Sequence, residues 1–204
     1  MSIRDQYRIR AEDAESKSGK DNDASPDALS VKFLKTRQIL LSGEVNKDLA
    51  EKVIRQLLIL ESDSAEPIYV YIDSPGGDVD AGYAIFDMIR FINVPVYTIG
   101  MGLVASAAAL ILLAAPRERR IALPNSHYLI HQPLSGIKGV ATEIEIHAFE
   151  LEKTREKLNT LIAEETGKPV EQVKLDTDRD YWLSAEEAKE YGLISRVIDS
   201  RSSL

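Results

Sequence analysis

Gly100-Met101-Gly102-Leu103-Val104-Ala105-Ser106-Ala107-Ala108-Ala109-Leu110-Ile111-Leu112-Leu113-Ala114-Ala115 is an apolar run with a single hydroxyl, Ser106. A buried hydroxyl without a partner costs about 1–3 kcal/mol. Ser106 therefore either bonds back to its own helix backbone, as serines in small-residue helices do, or faces a cleft as a nucleophile. Gly100 and Gly102 separate the β-like Val96-Tyr97-Thr98-Ile99 from the helix-like run, which puts Ser106 at a strand-to-helix turn. Backbone N–H groups at such a helix start are unsatisfied and point outward. Upstream, Asp73-Ser74-Pro75-Gly76-Gly77 is a second glycine turn, after the strand-like residues 68–72. Two such turns place N–H groups on either side of one point, as an oxyanion hole requires.

Outward from this centre the chain alternates strand and helix. Gln38-Ile39-Leu40-Leu41 reads as a strand, and residues 46–60 as an amphipathic helix with Leu49, Val53, Leu57 and Leu60 on one face. A helix is expected near 79–92, with Val79, Tyr83, Phe86 and Arg90 on the helical period. Further strands are expected at Ile121-Ala122-Leu123 and Tyr128-Leu129-Ile130-His131. Such units imply right-handed βαβ crossovers and an α/β fold. Residues 132–139 read as a loop or exposed strand. Thr142-Glu143-Ile144-Glu145 has capping-box spacing and opens a long helix to about Thr166, closed by Gly167 and Pro169. Its apolar seam of Ile144, Leu151, Leu158, Leu161 and Ile162 suggests a helix that extends from the body toward a partner. Ser184-Ala185-Glu186-Glu187 is a second capping box, and Gly192 ends the last short helix.

The chain has 204 residues, enough for one domain with a sizeable core. Residues 1–28 are rich in charged and small polar residues and read as a mobile arm, leaving 29–204 as the single domain. There are no cysteines, which excludes disulfides, thiolate zinc sites and a cysteine nucleophile. The net charge of −8 argues against nucleic acid as a partner. The local cluster Arg117-Glu118-Arg119-Arg120 reads as a solvated turn. Residues 94–116 carry no charge over 23 positions, but Pro95, Gly100, Gly102 and Ser106 divide them into a strand and a short helix, so no membrane span is expected. The N-terminus has no apolar signal-peptide core, and a cytoplasmic location follows.

A nucleophilic serine needs a base, and the histidines are His127, His131 and His147. His147 falls among Glu143, Glu145 and Glu150 on the long helix and reads as solvated. His127 and His131, four apart on a strand, stand about 13 Å apart, too far to chelate one metal. His131 ends a strand, at the edge where α/β sheets keep their ligands, and is the best base. Spacing leaves the orienting acid open among Asp176, Asp178 and Asp180.

These motifs resemble the caseinolytic protease proteolytic-subunit family, ClpP, from about Leu40 to Ile198. The resemblance rests on Ser74-Pro75-Gly76-Gly77, Ala105-Ser106, Leu123-Pro124-Asn125-Ser126, Ile130-His131-Gln132-Pro133, residues 142–148, and residues 176–180 with Ser184-Ala185-Glu186-Glu187-Ala188. It implies Ser106 as nucleophile, His131 as general base, Asp180 as third member, and the Gly77 and Ala107 amides as oxyanion donors, with no metal or cofactor. It also implies a crotonase-like fold of repeated ββα-type units with a long protruding oligomerisation helix. Two stacked heptameric rings would enclose the sites, and an AAA+ ATPase of the Clp class would deliver unfolded polypeptides. Tyr69 and Tyr71 lie where the family forms part of its ATPase-docking pockets. Ala107-Ala108 replaces the family's usual Met-Gly and Gly102-Leu103-Val104 its usual Gly-Gln-Ala, departures that imply a divergent paralogue working with a second subunit type. Two other readings are a structural subunit with little catalysis and an acyl-CoA hydratase or isomerase on the same fold. The complete Ser106, His131 and Asp180 set disfavours the first, and the lack of a basic CoA-binding cluster the second.

Overall fold

The computed structural model describes residues 28–204, so the polar arm expected over 1–28 lies, but for Ala28, outside the described residues. A short helix α1 (Ala28–Leu34) comes first, and residues Phe33–Leu204 form one compact unit. Strand β1 (Gln38–Ser42), helix α2 (Lys47–Asp63), β2 (Ile68–Ser74), helix α3 (Val79–Phe91) and β3 (Val96–Ala105) are laid down as parallel strands joined by helices. Asn46 and Asp78 start α2 and α3 by accepting the N–H groups of Leu49 and Ala81 at 2.9 and 2.7 Å. In α2 the buried face is Ala50, Val53, Leu57 and Leu60. In α3 it is Ala81, Gly82, Ile85, Phe86 and Ile89, turned away from the expected stripe. Tyr83 and Val79 are half-buried at its border, and Arg90 lies with its guanidinium 4.3 Å from the Phe86 ring centroid.

Strand β3 runs through the glycines that were expected to end it. It forks the sheet: Thr98, Ile99 and Gly100 pair with β4 (Arg120–Ala122), whereas Leu103, Val104 and Ala105 pair with β5 (His127–Ile130). The register against β2 jumps between Ile72 and Ser74, and Gly102, at φ +54, carries that bulge. There Asp73 Oδ1 accepts the Leu103 N–H at 3.0 Å. Gly100 is a matter of room, since a Cβ would lie 2.3 Å from the hydroxyl of fully buried Tyr128. The strand therefore continues because close neighbours need its glycines, and the chain turns only at Ser106.

Helix α4 (Ala107–Leu112) is buried along its whole length, and each of its large aliphatic side chains contributes about 1.5–3 kcal/mol. The long helix α5 (Ala141–Thr166) starts one residue before the expected capping box: Glu143 reaches back to the Val140 N–H at 3.4 Å. Its seam divides. Ile162 and Ala163 are buried and Leu158 and Leu161 half-buried, while Ile144, Ile146 and Phe149 of the first turns are exposed. Gly167 closes α5 at φ +74, and Pro169, rather than only ending it, precedes the unforeseen helix α6 (Val170–Asp176). Strand β6 (Tyr181–Ser184) pairs antiparallel with β5, helix α7 (Ala185–Tyr191) follows, and β7 (Arg196–Val197) joins β4. The Ser184–Glu187 capping box forms, and its hydrogen bonds from the Ser184 N–H and hydroxyl hold the Glu187 carboxyl below the usual range. Among the described residues no helix is long and apolar enough to cross a membrane.

Arg120 corrects the expected solvated turn. Arg117–Arg119 do form a surface 3-10 turn, but Arg120 opens β4 with no exposure, its guanidinium satisfied by Ala115 O, Glu165 O and the Glu165 carboxylate. Burial pulls its pKa down from the ordinary value, and Glu165 opposes that pull.

Candidate active site

Ser106 sits between β3 and α4 at φ +55, ψ −120, a region a non-glycine residue occupies only when its surroundings impose it, at about 1–3 kcal/mol. Its N–H donates to Leu129 O at 2.8 Å, and its carbonyl accepts from the N–H groups of Ala109 and Leu110. Its hydroxyl does not cap α4, leaving Oγ half-buried in a cleft whose lining includes Leu110, Leu113, Ile130, Leu158 and Ile162.

The second glycine turn presses on this one. A Cβ on Gly76 would lie 2.5 Å from Ala105 O, 2.7 Å from Ser106 Cβ and 2.9 Å from Ala107 N, so only glycine permits the approach. The turn is anchored by Val45, whose N–H donates to Gly76 O and whose carbonyl accepts from Asp78 N–H, at 2.8 and 2.7 Å. Those bonds leave the Gly77 N–H untaken, and the Ala107 N–H is the first of α4. Neither has an acceptor among the described residues.

His131 follows β5 directly and lines the same cleft. The antiparallel register sets Ile130 opposite Tyr181, so one step further His131 meets Asp180, with Nδ1 and Oδ1 3.2 Å apart. The His131 side chain is largely buried and that of Asp180 largely exposed. The other two acids have different partners. Asp176 takes hydrogen bonds from Tyr191 OH and Gln172, and Asp178 pairs with Arg155 at 3.3 Å. Burial, seconded by Asp176, raises the Tyr191 hydroxyl pKa well above its ordinary value. Gln132 fastens the segment after His131 to the acid loop, its N–H donating to Thr177 O and its side chain to Asp178 O, at 2.7 and 2.6 Å.

Ser106 and His131 share the cleft without a hydrogen bond between them. His127 is exposed at the start of β5, opposite Ser184. His147, expected in solvent, is half-buried with Nε2 2.7 Å from Ser135 Oγ. Sequence reasoning missed Asp73, Val45 and Gln132, which fix the loops that carry the site. Asp73, placed before Ser74-Pro75-Gly76-Gly77, and Gln132, within Ile130-His131-Gln132-Pro133, offered a local signal, and Val45 did not.

The sequence matches the Clp protease family over residues 21–201. It is 69% identical to the ATP-dependent Clp protease proteolytic subunit 2 of Treponema denticola, over 93% of this chain and 94% of that one. Against the subunit 2 of Borreliella burgdorferi the identity is 53%, over 84% of this chain and 87% of the relative. A solved structure of a ClpP1 mutant from Listeria monocytogenes superposes with a TM-score of 0.80 at 50% identity, covering 85% of this chain and 98% of that chain.

Proposed function

The chain belongs to the Clp protease family and is a serine peptidase of the ClpP type, and on that premise we propose that Ser106, His131 and Asp180 are its nucleophile, general base and orienting acid. With Nδ1 toward Asp180, His131 presents Nε2 to take the Ser106 proton as Oγ attacks a peptide carbonyl. The imidazolium then protonates the leaving amine, and a water activated by the same nitrogen releases the acyl group from Ser106. The Gly77 and Ala107 N–H groups receive the oxyanion, each worth about 3 kcal/mol. The apolar cleft beside Ser106 takes an apolar side chain next to the scissile bond.

The observation that carries this reading is the strained turn that leaves Ser106 Oγ uncapped in the cleft that His131, itself paired with Asp180, also lines. The open Ser106–His131 contact supports a site that closes on assembly. The substrates are unfolded polypeptides, delivered by a Clp-class AAA+ ATPase docking near Tyr69 and Tyr71, in the cytoplasm. The domain spans 29–204 behind the polar arm of 1–28, and the exposed apolar turns of α5 join heptameric rings into a tetradecamer. The "subunit 2" of its relatives supports a mixed ring with a second ClpP paralogue.

A fluorophosphonate probe, with the assembly's mass recorded in the same sample, tests the assignment. Labelling of the wild type that vanishes in Ser106→Ala supports it. An intact double ring that stays unlabelled, alone and with the second subunit added, overturns it in favour of a structural subunit.

A further inference from the structure

Helix α4 is six residues long, carries Ser106 and the Ala107 N–H at one end, and has no polar side chain of its own. Hydrophobic burial is non-directional, so hydrogen bonds add directional restraint to the packing. At the near end the Ser106 N–H is held by Leu129 O, and at the far end every carbonyl from Leu112 to Ala115 is taken by a side chain. Thr98 Oγ1 donates to Leu112 O at 2.9 Å, Arg90 to Leu113 O and Ala114 O at 3.3 and 3.2 Å, and Arg120 to Ala115 O at 2.7 Å. The Glu165 carboxylate holds both guanidiniums. An acid in the last turn of α5 opposes that helix's dipole, so its position is not explained by α5 alone. Arg90 and Arg120 also flank the uncharged stretch 94–116, which supplies no cation of its own.

We propose that Arg90, Arg120 and Glu165 are positioning residues for peptide hydrolysis: they fix the C-terminal end of α4 and so set where Ser106 and the Ala107 N–H stand in the cleft. A six-residue helix is about 9 Å long and too short to bend, so a shift at its clamped end reaches the oxyanion site undiminished. The clamp acts on the transition state more than on substrate binding. This rests on Ser106 being the nucleophile.

The test uses the assembled full chain as Glu165→Gln, Arg90→Met and Arg90→Lys, with a fluorogenic peptide, a peptide aldehyde that forms a tetrahedral adduct, and the matching alcohol. Glu165→Gln and Arg90→Met are expected to lower kcat about tenfold with little change in KM. Aldehyde affinity falls in parallel, alcohol affinity stays, and Arg90→Lys recovers part of the loss. Hydrogen exchange over residues 106–115 rises about tenfold while that of α2 does not. Assembled variants with wild-type kcat and aldehyde affinity, or a loss confined to KM and the alcohol, overturn the proposal. A wild type that the fluorophosphonate does not label refutes the nucleophile instead, and exchange over 106–115 then decides the clamp: unchanged exchange overturns it. Arg90 is half exposed, so Arg90→Met reports even if Glu165→Gln does not assemble.

Discussion

Gly76 and Ser106 touch with no room for a methyl group between them, two residues from different strand ends locking one turn against the other. Gly76→Ala adds that methyl at a backbone φ of +87, so it brings strain and collision together. The variant is expected to lose more than about 100-fold in peptide hydrolysis, since displacements of an ångström at a reacting centre cost that much. It should also melt several degrees lower by calorimetry. Wild-type turnover would remove this turn from the site.

Asp180 offers a cleaner separation of folding from chemistry. Its side chain is largely exposed, so Asp180→Asn should leave the melting temperature unchanged, while an amide in place of the carboxylate presents the wrong partner to Nδ1. Turnover is expected to fall about 10³–10⁴-fold. Fluorophosphonate labelling rates on wild type and variant check this.

Leu158 lines the cleft from α5 and is only half-buried. Leu158→Glu places a carboxylate where the proposed substrate side chain sits. The value of kcat/KM for a peptide with leucine before the scissile bond should fall at least about tenfold, and that for an alanine peptide far less. Equal losses on both peptides would count against this subsite.

The exposed apolar residues of the first α5 turns, Ile146 and Phe149, carry the proposed contact between rings. Phe149→Glu is expected to shift the native mass spectrum from double to single rings with the protomer fold unchanged by circular dichroism. Labelling at Ser106 should drop with the mass.

Tyr128 sets an alkaline limit on stability. Burial raises its hydroxyl pKa to about 12 from 10.0. The folded state therefore keeps a proton that the unfolded chain releases near pH 10. The stabilisation is fully present below pH 10 and is lost as pH climbs through 12, about 3 kcal/mol from this group. Denaturant unfolding at pH 9 and 11 should show the decline, and Tyr128→Phe should lessen it by this group's share, leaving that of Tyr191.

The alternation of strands and helices was legible because it depends on periodicity and on caps such as Asn46 and Gly167, which act locally. The turn at Ser106 was legible for the same reason. The extension of β3 was not, because Gly100 and Gly102 read as breakers in sequence and serve as clearances for Tyr128 and Asp73 in space. Composition likewise assigned Arg120 to solvent, since its partner Glu165 lies 45 residues away. Among Asp176, Asp178 and Asp180 spacing offered no ranking, and only the family resemblance pointed to Asp180. What brings Asp180 rather than its neighbours to His131 is the β5–β6 register, a long-range pairing that one residue of slip would undo.

That same pairing makes the site fragile in a particular order. Strand β6 is four residues long, pairs among the described residues only with β5, and with the Gln132 hydrogen bonds holds the proposed acid Asp180 at His131, whereas Ser106 rests on the ten-residue strand at the sheet's centre. Mild heat or denaturant will peel the periphery first. Catalysis should then fade while the core is still native, a loss that cooling reverses without refolding the chain.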